Sequence, residues 1–198
     1  MTPDTDAIAR LLRGGGVAVL PTDTIYGFHC LADDEAAVSR MASLKERDDT
    51  KPFIVLGNSI EQLETLGASF TVETRAALSE LWPGPLTAIV PMTRQIAASR
   101  GTASIGVRIP AVTWLRELLA LTGPLASTSV NRTGQPPILS PTEMPRALRE
   151  SVGAVVDGGP LPGKASAIVD FTGDEPRFLR EGENLFTQRV WKTLRKSL

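Results

Sequence analysis

Cationic side chains that could hold an anion are concentrated where predicted helices and strands meet. The segment "LKERDDTKPF", residues 44–53, places Lys45, Arg47 and Lys51 between a predicted helix and a strand. A guanidinium group binds phosphate or carboxylate through two parallel hydrogen bonds, and lysine supplies a point charge. Cations also suit the C-terminus of a helix, so these three residues alone favour an ordinary solvated helix end.

Two further cations lie in or beside apolar strands. Arg108 interrupts the apolar segment "IGVRIP", and Arg180 lies in "RFLRE". Because an unpaired buried charge is costly, Arg108 either faces solvent on an edge strand or holds an anion. Ser166 is a neighbouring polar candidate at the start of another predicted strand, "SAIVDF".

Hydroxyl side chains form two clusters, each at the end of a predicted strand. The first is "LPTDTIYG", residues 20–27, which contains Thr24 and Tyr26 after an apolar run. The second, "LASTSVNRTG", contains Ser127, Thr128, Ser129 and Asn131. An Asn-x-x-Gly turn is common, but a turn does not explain three consecutive hydroxyls.

Alternating helical and strand patterns predict an α/β domain with helices packed on a sheet. Predicted helices begin at Asp4 or Thr5, at Ser59, and at Ser140 or Thr142, and a last helix carries Val190, Trp191 and Leu194. Loops at one edge of such a sheet converge on a crevice. The cations there suit a strongly anionic ligand, and the hydroxyls suit a ribose, a base edge or an amino acid. The residues therefore predict a nucleotide or phosphate site.

Composition and motifs exclude several other classes of site. The chain has 198 residues, a net charge of −1, one cysteine (Cys30) and one histidine (His29). These numbers leave no disulfide framework, Cys-based metal cluster or broadly basic surface, and they favour a cytoplasmic protein without a membrane span. His29 is interpreted as a packed or surface histidine. Gly158–Lys164 has the spacing of a P-loop, but Ala165 replaces the hydroxyl and a strand follows.

Eight segments occur in the order typical of the YrdC-like family, which the chain resembles from about Gly14 to Gly182. They are "GGGVAVLPTDTIYGFHCLADD", "LKERDDTKPF", "LWPGPLTAIV", "IGVRIP", "LASTSVNRTG", "DGGP", "SAIVD" and "FLREGE". The resemblance implies a single domain over residues 1–198, with a twisted mixed sheet, flanking helices and an open concave crevice. Residues 183–198 would form a peripheral C-terminal helix.

The resemblance also implies a reaction. L-Threonine, bicarbonate and ATP with Mg²⁺ would give threonylcarbamoyl-AMP and pyrophosphate. Partner transferase proteins would then place the threonylcarbamoyl group on the adenosine next to the anticodon of tRNA, which the protein itself would contact. Two alternatives remain open: a paralogue that binds nucleotide or RNA without this synthesis, and a carbamoyl-adenylate enzyme with another acceptor.

The family's motifs assign roles to residues of this chain. Lys45 and Arg47 match its K-x-R motif and would be catalytic. The resemblance places Lys45, Arg47, Ser129, Asn131 and Arg180 on the ATP side. It places Thr24, Tyr26, Lys51, Arg108, Ser127 and Ser166 on the threonine side.

The chain departs from the family's pattern in two places. Glu46 and Asp48 flank Arg47, and carboxylates near a triphosphate weaken its binding unless they point away or engage Mg²⁺. Ala167 stands where the family has a hydroxyl, which would remove one polar group beside the threonine pocket.

Overall fold

The structure, a computed structural model, describes residues 4–45, 51–131 and 136–197. Its strands are β1 (Ala18–Pro21), β2 (Tyr26–Leu31), β3 (Ile54–Leu56), β4 (Leu86–Pro91), β5 (Ser104–Arg108), β6 (Leu125–Ser129), β7 (Ala154–Val155), β8 (Ala167–Asp170) and β9 (Arg177–Arg180). Its helices are α1 (Thr5–Arg13), α2 (Glu35–Lys45), α3 (Ile60–Thr65), α4 (Val72–Leu81), α5 (Thr113–Thr122), α6 (Arg146–Glu150) and α7 (Asn184–Ser197).

The strands form one mixed sheet in the order β7-β1-β2-β6-β3-β5-β4-β8-β9. Strand β6 pairs antiparallel with both β2 and β3, while β3 pairs parallel with β5 and β4 pairs parallel with β8. Most neighbours in the sheet are therefore distant in sequence. The predicted α/β fold with a mixed sheet flanked by helices is confirmed.

Alternation along the strands directs side chains to two separate cores. Tyr26, Phe28 and Cys30 of β2 point into the larger core, which α2, α4 and α7 cover. The opposite face carries Leu20 and Leu125, which pack against α1 and α5. This smaller core covers only part of its face, and the remainder of that face is where the polar residues gather.

Local sequence signals explain where several helices begin and end. Asp4 accepts a hydrogen bond from Ala7 N at the start of α1, and Ser59 accepts one from Gln62 N at the start of α3. These side chains satisfy backbone donors that have no partner within the helix. Gly123 ends α5 with a φ of 85°, a conformation that favours glycine.

The predicted helix over residues 140–153 is interrupted in the structure. Pro141–Glu143 forms one 3₁₀ turn capped by Ser140, and α6 begins only at Arg146. Pro145 lies between them with extended backbone angles, because its ring fixes φ and it lacks the N–H that a continuous helix needs. At the C-terminus, Val190 and Leu194 of α7 are buried in the larger core.

Among the residues that the structure describes, no helix is both long and apolar enough to cross a membrane.

Candidate functional site

The uncovered part of the smaller core's sheet face forms a polar crevice. Its lining comes from the β1–β2 turn, from β2, β3, β4, β5, β6 and β9, and from the two residues that precede β8. The lining residues are Thr22, Thr24, Ile25, Gly27, Ile54, Leu56, Thr87, Arg108, Ser127, Thr128, Ser129, Ala165, Ser166 and Arg180. Six residues predicted to bind a ligand therefore share one crevice: Thr24, Arg108, Ser127, Ser129, Ser166 and Arg180.

Two glycines on the crevice face of the sheet leave space that side chains would otherwise fill. A β-carbon at Gly27 would lie 2.8 Å from Cε1 of His29, and one at Gly106 would lie 3.1 Å from Cγ2 of Thr87. Any side chain at Gly27 would displace its neighbours and rise into the crevice. The glycines thus leave room for a ligand above the sheet.

Arg108 is the buried cation at the end of β5. Its Nε donates to the carbonyl of Gly84 at 3.1 Å, its Nη1 to Oγ1 of Thr24 at 3.0 Å, and its Nη2 to Oδ1 of Asp23 at 2.6 Å. Burial lowers the pKa of Arg108, and the Asp23 carboxylate opposes that shift. Asp23 is therefore the anionic partner that a buried Arg108 needs. Strand β5 is a central strand of the sheet, so Arg108 does not face solvent on an edge strand.

The β1–β2 turn fixes Thr24 through Thr22. Oγ1 of Thr22 accepts from the backbone N of Thr24 at 3.1 Å and of Ile25 at 3.2 Å, and it lies 2.9 Å from Oγ1 of Thr24. Both threonines are buried. A hydroxyl that bonds to its own backbone stabilises a turn, so the turn presents Thr24 to both Arg108 and the crevice.

Ser166 and Arg180 form the opposite wall. Oγ of Ser166 lies 2.8 Å from Oγ1 of Thr87, and Nε of Arg180 donates to the carbonyl of Ser166 at 2.9 Å. Desolvation and the positive charge of Arg108 both lower the pKa of Arg180. Since the two guanidinium groups repel, the crevice favours an anionic ligand that neutralises them.

Lys45 joins the end of α2 to the end of β6. Its Nζ donates to the carbonyl of Ser129 at 2.7 Å, to the Ser129 hydroxyl at 2.9 Å and to Oδ1 of Asn131. Lys45 is only 6% exposed, so it is not the solvated helix end that its position alone favoured. The lysine of the predicted K-x-R motif therefore contacts both the serine and the asparagine of the S-x-N motif.

His29 lies beneath the crevice and contacts Ser127. The two residues are direct partners across β2 and β6, and Nε2 of His29 lies 3.2 Å from Oγ of Ser127. Burial and the charge of Arg108 contribute to lowering the pKa of His29 from 6.5 to about 4. The imidazole is therefore neutral near pH 7, as expected for a packed histidine.

Four predicted residues that the structure describes are not part of this lining: Lys45 and Asn131, which both contact Ser129, and Tyr26 and Lys51. Strand alternation turns Tyr26 to the larger core, where its hydroxyl donates to the carbonyl of Gly159 at 2.6 Å and accepts from N of Gly158 at 3.0 Å. Tyr26 thus anchors a loop instead of forming the crevice wall. Lys51 is exposed and does not line the crevice. Arg47, with Glu46 and Asp48, lies outside the described residues.

Ala167 is fully buried in the larger core, so the missing hydroxyl does not face the crevice. From the sequence, no role was assigned to Asp23, Thr22 or Thr87. Thr22 could have been found from its place in the same hydroxyl-rich turn as Thr24. Thr87 can be recognised only once β4 is known to lie beside β8.

Comparison with protein families places the whole crevice inside a known domain. The family model for Sua5, YciO and YrdC, described as telomere recombination, matches residues 10–182. The chain belongs to the Sua5/YciO/YrdC family. The resemblance seen in the sequence is confirmed, and every lining residue of the crevice falls within the matched range.

Two bacterial members of the family illustrate the degree of similarity. The threonylcarbamoyl-AMP synthase of Chromohalobacter salexigens is 39% identical over 157 residues, covering 77% of this chain and 83% of that protein. The putative threonylcarbamoyl-AMP synthase of Mycobacterium tuberculosis is 34% identical over 186 residues, covering 92% of this chain and 85% of that protein.

Solved structures of the family share the fold. Pyrococcus abyssi Sua5 complexed with L-threonine superposes with a TM-score of 0.82 at 31% identity, covering 90% of this chain and 54% of that chain. Escherichia coli YciO superposes with a TM-score of 0.82 at 26% identity, covering 92% of each chain. The present chain spans about half the length of the Sua5 chain that it matches.

Proposed function

We propose that this protein is an L-threonylcarbamoyladenylate synthase, a nucleotidyltransferase that makes threonylcarbamoyl-AMP and pyrophosphate from L-threonine, bicarbonate and ATP. The observation that carries the proposal is the layout of the crevice. Lys45 contacts Ser129 at the end of β6. Arg108 lies two strands away, on β5, and contacts Thr24 of the β1–β2 turn. Relatives named threonylcarbamoyl-AMP synthase support this reading.

The ATP end of the crevice is assigned to Lys45, Ser129, Asn131 and Arg180, with Arg47 assigned by the family motif alone. Lys45 supplies a positive charge that is already held in place by Ser129. A preorganised cation stabilises the charge that develops when pyrophosphate leaves the α-phosphorus. Catalysis then depends on positioning and charge, and it needs no histidine base.

The amino-acid end is assigned to Thr24, Arg108, Ser127 and Ser166. These residues offer one buried cation and three hydroxyl groups to a small zwitterion. The threonine amine and bicarbonate form N-carboxythreonine with release of water, and the carbamate carboxylate of this intermediate then attacks the α-phosphorus of ATP. Attack forms the new P–O bond and breaks the bond to pyrophosphate, so atoms and charge balance. Tyr26 supports this end indirectly, through the loop that it anchors.

Mg²⁺ is proposed to enter as the ATP complex. Within the described ranges, no three His, Cys, Asp or Glu side chains cluster to hold a metal. The oxygens of Ser129 and Asn131 already accept from the Lys45 ammonium, so the ligands of the ion would be phosphate oxygens and water, with no protein ligand assigned. The metal supplies charge neutralisation of the triphosphate when bound.

The product is proposed to pass to transferase proteins that modify the adenosine next to the anticodon, with contact to tRNA. A cytoplasmic location fits this role and fits a chain whose one cysteine, Cys30, is a buried free thiol.

Product formation from the complete substrate mixture tests the proposal. Purified protein is incubated with ATP, Mg²⁺, bicarbonate and L-threonine, and pyrophosphate and the adenylate are measured with each substrate omitted in turn. We expect product only in the complete mixture. ATP binding without any threonine-dependent product would instead identify a paralogue that binds nucleotide without synthesis.

A further inference from the structure

His29 occupies a buried position on β2 at which an apolar side chain would be the usual choice. It lies on the same face of β2 as Leu31, which packs against the smaller core, and as Gly27, which lines the crevice. The side chain is completely buried, yet its Nε2 lies 3.2 Å from the hydroxyl of Ser127. His29 is therefore a polar group placed where the core ends and the crevice begins.

Because His29 is buried, its imidazole ring has a fixed position and can hold a neighbouring hydroxyl group in one orientation. A serine hydroxyl rotates freely unless a partner fixes it. The imidazole is packed on all sides, and Arg108 nearby further disfavours its charged form. Within the described residues, Nδ1 makes no hydrogen bond of normal geometry, and the ring interacts with the backbone of Gly27 and, through Nε2, with the Ser127 hydroxyl.

Gly27 makes the contact between the two side chains effective at the crevice. A β-carbon there would lie 2.8 Å from Cε1 of His29 and 3.2 Å from Oγ of Ser127. With only hydrogen at this position, nothing separates the serine hydroxyl from the crevice. Ser127 has one hydrogen-bonding direction taken by Nε2 and presents the others to a ligand.

We propose that His29 is a positioning residue for amino-acid binding, which orients the Ser127 hydroxyl toward the part of the crevice shared with Arg108 and Thr24. This inference rests on the proposed function, because it assigns the ligand of Ser127 as the amino acid. His29 does not touch the substrate. It acts through Ser127 and removes the entropy that a free hydroxyl loses on binding.

Two substitutions of similar volume separate positioning from packing. His29→Met fills the space without a hydrogen-bonding terminus of comparable strength, whereas His29→Gln retains an amide that can reach Ser127. Ser127→Ala and the double variant His29→Met/Ser127→Ala complete a double-mutant cycle. Affinity for L-threonine and for ATP is measured by calorimetry for each variant, and thermal unfolding confirms that each remains folded.

We expect His29→Met to weaken L-threonine binding about tenfold and to leave ATP affinity within about twofold. His29→Gln is expected to recover most of the loss, and the double variant to bind threonine no more weakly than Ser127→Ala. Such non-additivity means that His29 acts through Ser127. Equal threonine affinity of wild type and His29→Met would overturn the inference, as would additive losses or a parallel loss of ATP affinity.

The failure of this inference is distinguishable from that of the proposed function. If the wild-type protein binds no L-threonine, both fail. If the wild type binds threonine and forms the adenylate while the Met variant is unaffected, only the role of His29 is removed. Should His29→Met fail to fold, the cycle is repeated with His29→Leu, for which the same non-additive loss of threonine affinity is expected and an additive loss would overturn the inference.

Discussion

Arg108 and Asp23 form an almost completely buried ion pair, in which Nη2 lies 2.6 Å from Oδ1. The side chains are 6% and 15% exposed. Oδ2 of Asp23 is also buried and has no hydrogen-bond partner among the described residues. The carboxylate therefore interacts with the protein through one oxygen, and its role is to neutralise and orient the guanidinium group.

Removing the Asp23 carboxylate should destabilise the protein. Asp23→Ala leaves the Arg108 charge buried without its counter-ion, and we expect the free energy of unfolding to fall by about 3 kcal/mol. Denaturant unfolding measures this change. Glu150→Ala is the control, since the Arg146–Glu150 pair is 91% and 60% exposed and should contribute little. Equal effects of the two substitutions would contradict a structural role for the buried pair.

Lys45→Met should weaken ATP binding by at least tenfold while leaving threonine affinity nearly unchanged. The substitution keeps most of the buried volume but removes the cation that contacts Ser129 and Asn131. Charge-assisted hydrogen bonds are stronger than neutral ones, so their loss is measurable by calorimetry and in the KM for ATP. Lys192→Met on the exposed side of α7 is the matched control. An unchanged KM would remove Lys45 from the ATP site.

His29 should stay neutral well below its ordinary pKa. Its folded pKa of about 4 lies below the usual 6.5, so the unfolded chain binds more protons between these values. The stability associated with neutral His29 is complete well above pH 6.5 and is lost as pH falls toward 4, by about 2.5 kcal/mol at pH 4.5. Unfolding of wild type and His29→Gln at pH 7 and 4.5 isolates this difference. Because the chain has one histidine, its NMR signal should not titrate between pH 8 and 5.

Tyr26→Phe should loosen the loop that follows β7. The substitution leaves N of Gly158 without its acceptor and the carbonyl of Gly159 without its donor, so we expect a loss of about 2 kcal/mol. Lys164 is exposed farther along the same loop. Limited digestion with trypsin should therefore cut after Lys164 faster in the variant. Identical digestion rates would show that Tyr26 does not restrain the loop.

The sequence predicted the components of the crevice better than their contacts. A guanidinium in an apolar strand signalled that Arg108 needed a partner, but Asp23 lies 85 residues away. Its identification requires knowing that β3 and β6 lie between β5 and β2. Strand pairing over such distances depends on the whole core and not on local propensity.

The same limit explains the different position of Tyr26. A hydroxyl two residues after Thr24 could face the crevice only if β2 began elsewhere. In the structure β2 begins at Tyr26 itself, so alternation sends the ring to the larger core and leaves Gly27 on the crevice side. The face that each residue of β2 occupies depends on the pairing register of the strand, and a shift of one residue would reverse it.

The strand order also determines when during folding the crevice can exist. His29 and Ser127 are 98 residues apart, and the wall at Ser166 lies 79 residues from Thr87. Closing such long loops is entropically costly and slows folding. A short fragment of the chain therefore lacks part of the crevice, and a ligand that binds only the native state draws the folding equilibrium toward it. In the cell, substrate supply would then act on the abundance of the protein as well as on its rate.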